Sequence, residues 1–88
     1  MARYHFNIRN GTGFTADDEG MDLSSEDDAR SHAIEGARSL LSAEVLQGTL
    51  DLNGQIEVTD EGQGAVMTVR FIEAVRVEPA AVGEQAAR

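Results

Sequence analysis

The side chains with the clearest chemical potential lie in the segment Asp17–Asp28, which carries seven carboxylates in twelve residues. Carboxylates at this density suit Ca²⁺, and a calcium loop of the EF-hand type has glycine at its sixth position. Aligning Gly20 with that position brings three acids to the third, fifth and twelfth positions, namely Asp17, Glu19 and Glu26. The first position is then Thr15, which has no carboxylate, and no helical pattern precedes the loop. We therefore predict a turn followed by a helix start, with a divalent-cation site at the three acids as an alternative hypothesis.

No set of residues has the spacing of a catalytic centre. The chain has no cysteine and two histidines, His5 and His32, and Asp28–His32 is the nearest approach to a metal-ligand spacing. We interpret that pair as a surface contact. The serines cluster at the predicted helix start and its exposed side, and the GTG and GQG segments lack the lysine of a phosphate-binding loop. The sequence therefore predicts a protein that is not an enzyme and has no cofactor.

The charge balance is strongly acidic. The formal net charge is −9, and all seven basic residues are arginines. An acidic surface repels the phosphate backbone of nucleic acids, so a basic protein is the more suitable partner. No apolar run approaches the roughly 20 residues of a membrane span, and the N-terminal segment alternates polar and apolar residues where a signal peptide has an apolar core. We expect a cytoplasmic protein that binds neither nucleic acid nor membrane.

The N-terminal half contains the elements that must position these residues. Tyr4, Phe6 and Ile8 alternate with polar residues, which predicts a strand with one buried face. The Asn10–Gly13 turn leads to a short second strand and then to the acidic segment. A helix is predicted over 24–47, with Ser24 or Ser25 as N-cap, three acids in its first turn and Gly48 as its stop. At about 100° per residue, its apolar side collects Ala29, Ala33, Ile34, Ala37, Leu40, Leu41 and Val45.

The C-terminal half predicts a hairpin. Ile56 and Val58 alternate with polar residues, a glycine-rich loop follows over 60–64, and the return strand covers 65–71. A further short edge piece is predicted over 75–77, ended by Pro79. Packing the helical stripe on one sheet face predicts a two-layer α+β domain over residues 1–78, with an antiparallel sheet of three to four strands covered by one helix in the order β-β-α-β-β. Residues 79–88 are predicted to form a disordered tail.

One face of the predicted sheet has no helix to cover it. Strand alternation assigns five polar or charged side chains to that face: His5, Asn7, Arg9, Thr68 and Arg70. We expect this face to be an interaction surface, for a protein partner or for a second copy of the chain.

The chain also resembles a family of short bacterial proteins, common in alphaproteobacteria, that is known only as a domain of unknown function. Its members open with an RYxFxxR/DxG strand, and residues 3–11 of this chain read RYHFNIRNG. The family continues with a DEEGxEL turn and a helix starting DxxxARxxA, which DDEGMDL and the segment through Asp27 or Asp28, Ala29, Arg30 and Ala33 match here. The later GQIEVTDEGQGAVMTVRFIEAVRV is similar to the family's closing hairpin. The resemblance covers roughly residues 2–77 and implies a small domain without a known activity.

A looser likeness links the chain to the N-terminal domains of HicB-type antitoxins, which also run from strands through an acid-and-glycine turn into a helix. This chain lacks their glycine-and-cysteine turn, and we expect no DNA-binding extension after the closing hairpin. The sequence thus predicts a protein–protein interaction or regulatory module. An antitoxin that binds a small basic toxin and a divalent-cation-binding protein are the alternatives.

Overall fold

A computed structural model describes residues 1–80 of the chain. Within this range the chain forms an antiparallel sheet of five strands and two helices. Their bounds are β1 (Ala2–Asn10), β2 (Gly13–Thr15), β3 (Met21–Leu23), α1 (Glu26–Leu46), β4 (Gln55–Asp60), β5 (Ala65–Arg70) and α2 (Phe71–Ala74). The predicted α+β class with one covering helix is confirmed. The sheet has one strand more than expected, because Met21–Leu23 forms a strand that pairs with β1.

Strand β1 is the centre of the sheet. Along one edge it pairs with β4 over six residue pairs, from Arg9 opposite Gln55 to Tyr4 opposite Asp60, and β4 in turn pairs with β5. The other edge of β1 pairs with β2 near its end and with β3 near its start. Because β2 and β3 run in the same direction, residues 13–23 act as one interrupted strand along that edge. The interruption, Ala16–Gly20, is called the acid loop below.

Helix α1 begins and ends where its local sequence specifies. Ser25 is the N-cap, and its side-chain oxygen accepts a hydrogen bond from the backbone N–H of Asp28. At the other end Gly48 has a φ of +85°, and its N–H donates to the carbonyl of Val45. Between these caps the helix lies against one sheet face through small, fully buried residues, Ala29, Ala33 and Ala37, together with Leu41. The remaining buried core is Tyr4, Ile56, Val58, Val69, Phe71 and Ala74.

Helix α2 replaces the predicted continuation of the last strand. The chain turns into α2 at Phe71, so the predicted edge piece at Val75–Val77 is wrong. Phe71 is fully buried, and its N–H donates to the Gly54 carbonyl at 2.9 Å. A Cβ built on Gly54 would lie 2.7 Å from Cδ2 of the Phe71 ring, so only glycine fits under that ring. The Arg38 guanidinium of α1 then donates to the Ala74 carbonyl at 2.7 Å and fixes the end of α2.

Two details of the helix differ from the predicted stripe. Val45 is 57% exposed and Leu46 is 82% exposed, so the last turn of α1 lies outside the core. His32, interpreted from the sequence as part of a surface contact, meets the Phe6 ring edge-on at a centroid distance of 4.5 Å. At Gly36, by contrast, a Cβ would lie 3.5 Å from Ile56, an ordinary contact distance, so the packing of α1 does not require glycine there.

The predicted disordered tail covers residues 79–88, of which 81–88 lie outside the described residues. Over residues 1–80, neither helix combines the length and apolar character that a membrane crossing demands.

Candidate functional site

The acid loop is built around the carboxylate of Asp17. Register places Thr15 opposite Ile8 and Met21 opposite Tyr4, so the five loop residues cover only the three strand residues 5–7. The loop therefore bows away from β1 and leaves part of the strand edge without a backbone partner. The Asp17 side chain fills that gap, because its Oδ2 accepts the Phe6 N–H at 3.0 Å and its Oδ1 accepts the Gly20 N–H at 3.2 Å.

Asp17 is held ionised by these contacts. Partial burial raises the pKa of its carboxyl, but hydrogen bonds from the backbone N–H groups of Phe6, Gly20 and Glu19 lower it by more. The pKa of Asp17 consequently lies below its usual value. Asn7 completes the arrangement from the strand side, since its Oδ1 accepts the Asp17 N–H at 2.9 Å. The acid loop is thus attached to β1 by side chains where backbone pairing stops.

Gly20 closes the acid loop and must be glycine for two reasons. Its φ of +73° lies in the left-handed region. A Cβ there would also lie 2.8 Å from the Tyr4 carbonyl and 2.9 Å from Cε1 of His5. The imidazole of His5 therefore packs directly over the Gly20 backbone.

His5 connects three segments of the chain. Its Nδ1 lies 2.7 Å from the Asp17 carbonyl oxygen, and its Nε2 lies 3.1 Å from Oε1 of Glu61 in the β4–β5 turn. The hydrogen bond with Glu61, and then the one with the Asp17 carbonyl, raise the pKa of His5. Arg3 reaches the same Glu61 carboxylate at 3.6 Å and also contacts Asp22 of β3 at 3.3 Å.

The sheet face opposite α1 is called the open face. The residues that strand alternation assigned to this face lie on it. Arg9, opposite Gln55, lies beside Glu57 and donates to Glu57 Oε2 at 2.7 Å. This bond, followed by one from Gln55, lowers the pKa of Glu57. The Arg9 guanidinium also lies 4.7 Å from the centre of the Phe14 ring, a cation–π contact.

The five residues predicted for this face have different environments. Asn7 is only 8% exposed, and its Nδ2 donates to the Glu57 carbonyl and to Thr59 Oγ1, so its amide is used within the fold. Thr68 and Arg70 lie exposed on β5, at the far edge of the sheet from the acid loop. His5 and Arg9 lie on β1 between them and the loop. The five predicted residues therefore lie on the same face of the sheet but do not form a single site.

A cleft of about 410 Å³ lies where the open face meets the acid loop. It is lined by His5, Asn7, Phe14, Ala16, Asp17, Asp18, Glu57, Thr59, Glu61 and Gln63. The lining holds four carboxylates and one imidazole, and none of the arginines of the open face. Phe14, 49% exposed, contributes an aromatic surface at the rim. The cleft is suited to a cation that is also partly apolar, such as an arginine side chain.

Sequence patterns identified only part of this cleft. Glu57 and Thr59 are the polar positions of a predicted strand, but their place beside His5 and Asn7 depends on the β1–β4 register. Phe14 faces the same side because it lies opposite Arg9 in the short β1–β2 pairing. The pairing of Phe14 with Arg9 was the signal that could have placed Phe14 on the open face, because directly opposed residues in an antiparallel sheet share one face.

The structure separates the acids of the alternative cation site. Asp17 uses both carboxylate oxygens on backbone N–H groups, whereas Glu26 is the first residue of α1. The carbonyl oxygen of Glu19, rather than its carboxylate, is engaged, as it accepts from Arg3 at 2.6 Å. Across residues 1–80 there is no group of three or more histidine, cysteine or acidic side chains arranged to hold a metal ion.

The fold and cleft define a small α+β domain with one helix-covered sheet face and one open, acidic-edged face. The chain belongs to the family described as Domain of unknown function (DUF6894), whose model matches residues 3–72. The predicted family resemblance is thereby confirmed. Comparisons with curated proteins and with solved structures give no significant match. The likeness to HicB-type antitoxins and the alphaproteobacterial origin stay predictions.

Proposed function

We propose that this protein is a non-enzymatic, cytoplasmic protein–protein interaction module that binds a basic segment of a partner in the cleft beside the acid loop. The observation that carries this proposal is the lining of the cleft. Asp18, Glu57 and Glu61 present carboxylates there, and no arginine lines the cleft, although Arg9 contacts Glu57 and Arg3 contacts Glu61 from outside it. The net charge of −9 adds a long-range attraction for a basic partner.

Phe14 gives the cleft a preference for arginine over a simple point charge. The ring already lies 4.7 Å from the Arg9 guanidinium, so its surroundings are compatible with a flat cation. An arginine side chain stacks on aromatic surfaces and pairs with carboxylates through two parallel N–H groups. A partner segment with one or more arginines therefore fits the available groups best.

Self-association through the open face has less support than a basic partner. Arg3 and Arg9, the cations that a second copy would offer, already contact Glu61 and Glu57 within the same chain. Exchanging these contacts between two copies gains few new ion pairs, and two chains of charge −9 repel each other.

The proposal is tested by calorimetric titration with a hexa-arginine peptide at low salt. The cleft variant Asp18→Asn/Glu57→Gln is compared with a control variant of equal charge, Asp27→Asn/Glu35→Gln, whose substitutions lie on exposed positions of α1. We expect the cleft variant to weaken binding about three- to tenfold, given exposed ion pairs of up to about 1 kcal/mol each. The control should change the affinity by less than about twofold. Equal losses in the two variants would show that only net charge attracts the peptide.

Natural partners are tested with the same pair of variants. The wild-type protein and both variants are used for affinity capture from the native cell, and the captured proteins are quantified. A genuine partner of the cleft should be basic and should be lost with the cleft variant but retained by the control. A partner retained equally by all three proteins binds elsewhere, and this outcome would contradict the proposed site.

A further inference from the structure

Both nitrogens of His5 face hydrogen-bond acceptors. Nδ1 is 2.7 Å from the carbonyl oxygen of Asp17, and Nε2 is 3.1 Å from a carboxylate oxygen of Glu61. Neutral imidazole carries one N–H and donates a single hydrogen bond, whereas imidazolium donates two. The geometry is therefore complete only when His5 is protonated. After loss of the proton, the remaining N–H serves one acceptor and a lone pair faces the other.

The ring of His5 has little freedom to avoid that conflict. It packs over the backbone of Gly20, with Cε1 so close that a Cβ on that residue would lie 2.9 Å away. Its side chain is 17% exposed, whereas that of Glu61 is 67% exposed. Glu61 also precedes two glycines, Gly62 and Gly64, in the β4–β5 turn. The mobile partner in this contact is therefore Glu61, and not the imidazole.

The charged groups around His5 come from each element that packs against it. They are Arg3 on β1, Asp17 and Asp18 in the acid loop, Glu57 on β4 and Glu61 in the turn. Carboxylates outnumber the single guanidinium, and the hydrogen bonds with Glu61 and with the Asp17 carbonyl raise the pKa of His5. Loss of the proton is thus moved above the ordinary value of about 6.5.

We propose that His5 is a proton-operated clasp on the cleft. The imidazolium holds the Glu61 carboxylate at one end of the cleft. Loss of the proton leaves Glu61 only its 3.6 Å contact with Arg3, so that Glu61 can pair with a cation of the partner. The second half of this inference rests on the proposed function. Deprotonation also removes one positive charge from the cleft lining, which favours a basic ligand further.

The clasp itself is tested in the free protein by NMR. The ring shifts of His5 and the amide shifts of Glu61, Gly62 and Gly64 are followed from pH 5.5 to 9. We expect His5 to titrate above 6.5, with the turn amides changing at the same midpoint. Glu61→Gln should lower the His5 midpoint and abolish the coupled amide changes. A His5 midpoint at or below 6.5, or turn amides that do not follow it, would overturn the clasp.

The gating role is tested with the hexa-arginine peptide at pH 6.0 and 8.5, where carboxylates stay ionised at both values. We expect binding to be about two- to fivefold tighter at pH 8.5, the range for one exposed ion pair. His5→Gln should remove this dependence. Equal affinities at the two pH values would overturn the gating role even if His5 titrates as expected. Absence of binding at both would overturn the proposed function and the gating role with it, while the clasp is decided by the titration of the free protein.

Discussion

Replacement of Asp17 by alanine provides the sharpest test of how the acid loop is held. The substitution removes both acceptors from the Phe6 and Gly20 N–H groups, which lie 3.0 and 3.2 Å from the carboxylate oxygens. Leaving a buried donor without an acceptor costs about 1–3 kcal/mol. Both sites are only partly buried, so water recovers some of this loss, and we expect the free energy of unfolding to fall by about 2 kcal/mol.

The assay is urea denaturation at pH 7, followed by circular dichroism, with Asp18→Ala as the matched control. Asp18 is the adjacent acid and is exposed, so its removal should change the free energy of unfolding by less than about 0.5 kcal/mol. Asp17→Asn keeps one acceptor and should fall between the other two variants. Equal stability of the Asp17→Ala and Asp18→Ala proteins would refute the role assigned to the Asp17 carboxylate.

The contribution of Asp17 should also depend on pH with a defined sign. The pKa of its carboxyl is lowered in the folded protein. Its stabilisation is therefore fully present above the unfolded value of about 3.9 and is lost as the pH falls through the lower folded value. The stability difference between wild-type protein and Asp17→Asn should shrink below pH 4. A difference that grows on acidification would contradict the assignment.

Three further predictions concern the contacts of two glycines and the acid loop. Gly54→Ala should destabilise the protein by about 2–3 kcal/mol, because the added methyl overlaps the buried Phe71 ring. Gly36→Ala should stabilise it by about 0.5–1 kcal/mol, because the helical site has ordinary contact space. Thermal unfolding measures the stability of both variants. Stability changes of the same sign in the two variants would contradict the contact distances at these glycines. Millimolar Ca²⁺ should leave the amide shifts of residues 17–26 unchanged, because Asp17 is already bonded to backbone N–H groups; localised, saturable shifts would establish the alternative cation site.

The parts of the fold that the sequence predicts are those set by local rules. The alternation of Tyr4, Phe6 and Ile8 defines which side of β1 is buried, and it correctly assigns His5 and Arg9 to the open face. The bounds of α1 follow from the Ser25 cap and the Gly48 stop. Each of these depends on residues within a few positions of one another.

The parts that escaped prediction depend on contacts between distant residues. Strand β3 has three residues, and its place in the sheet depends on pairing with the edge of β1. Helix α2 forms because Phe71 packs on Gly54, seventeen positions earlier. The role of Asp17 was not predicted either. In the sequence, a carboxylate that accepts backbone N–H groups in place of a paired strand cannot be distinguished from any other acid in a turn. Its partner Phe6 lies eleven positions away.

The central claim is that the acidic cleft of the open face binds a basic segment. It is tested most directly by mapping amide shifts of the ¹⁵N-labelled protein during titration with the hexa-arginine peptide. We predict that the saturable shifts cluster at Phe14, Asp18, Glu57, Thr59 and Glu61, which line the cleft. Shifts spread evenly over the acidic surface, or concentrated on the first turn of α1, would contradict the claim.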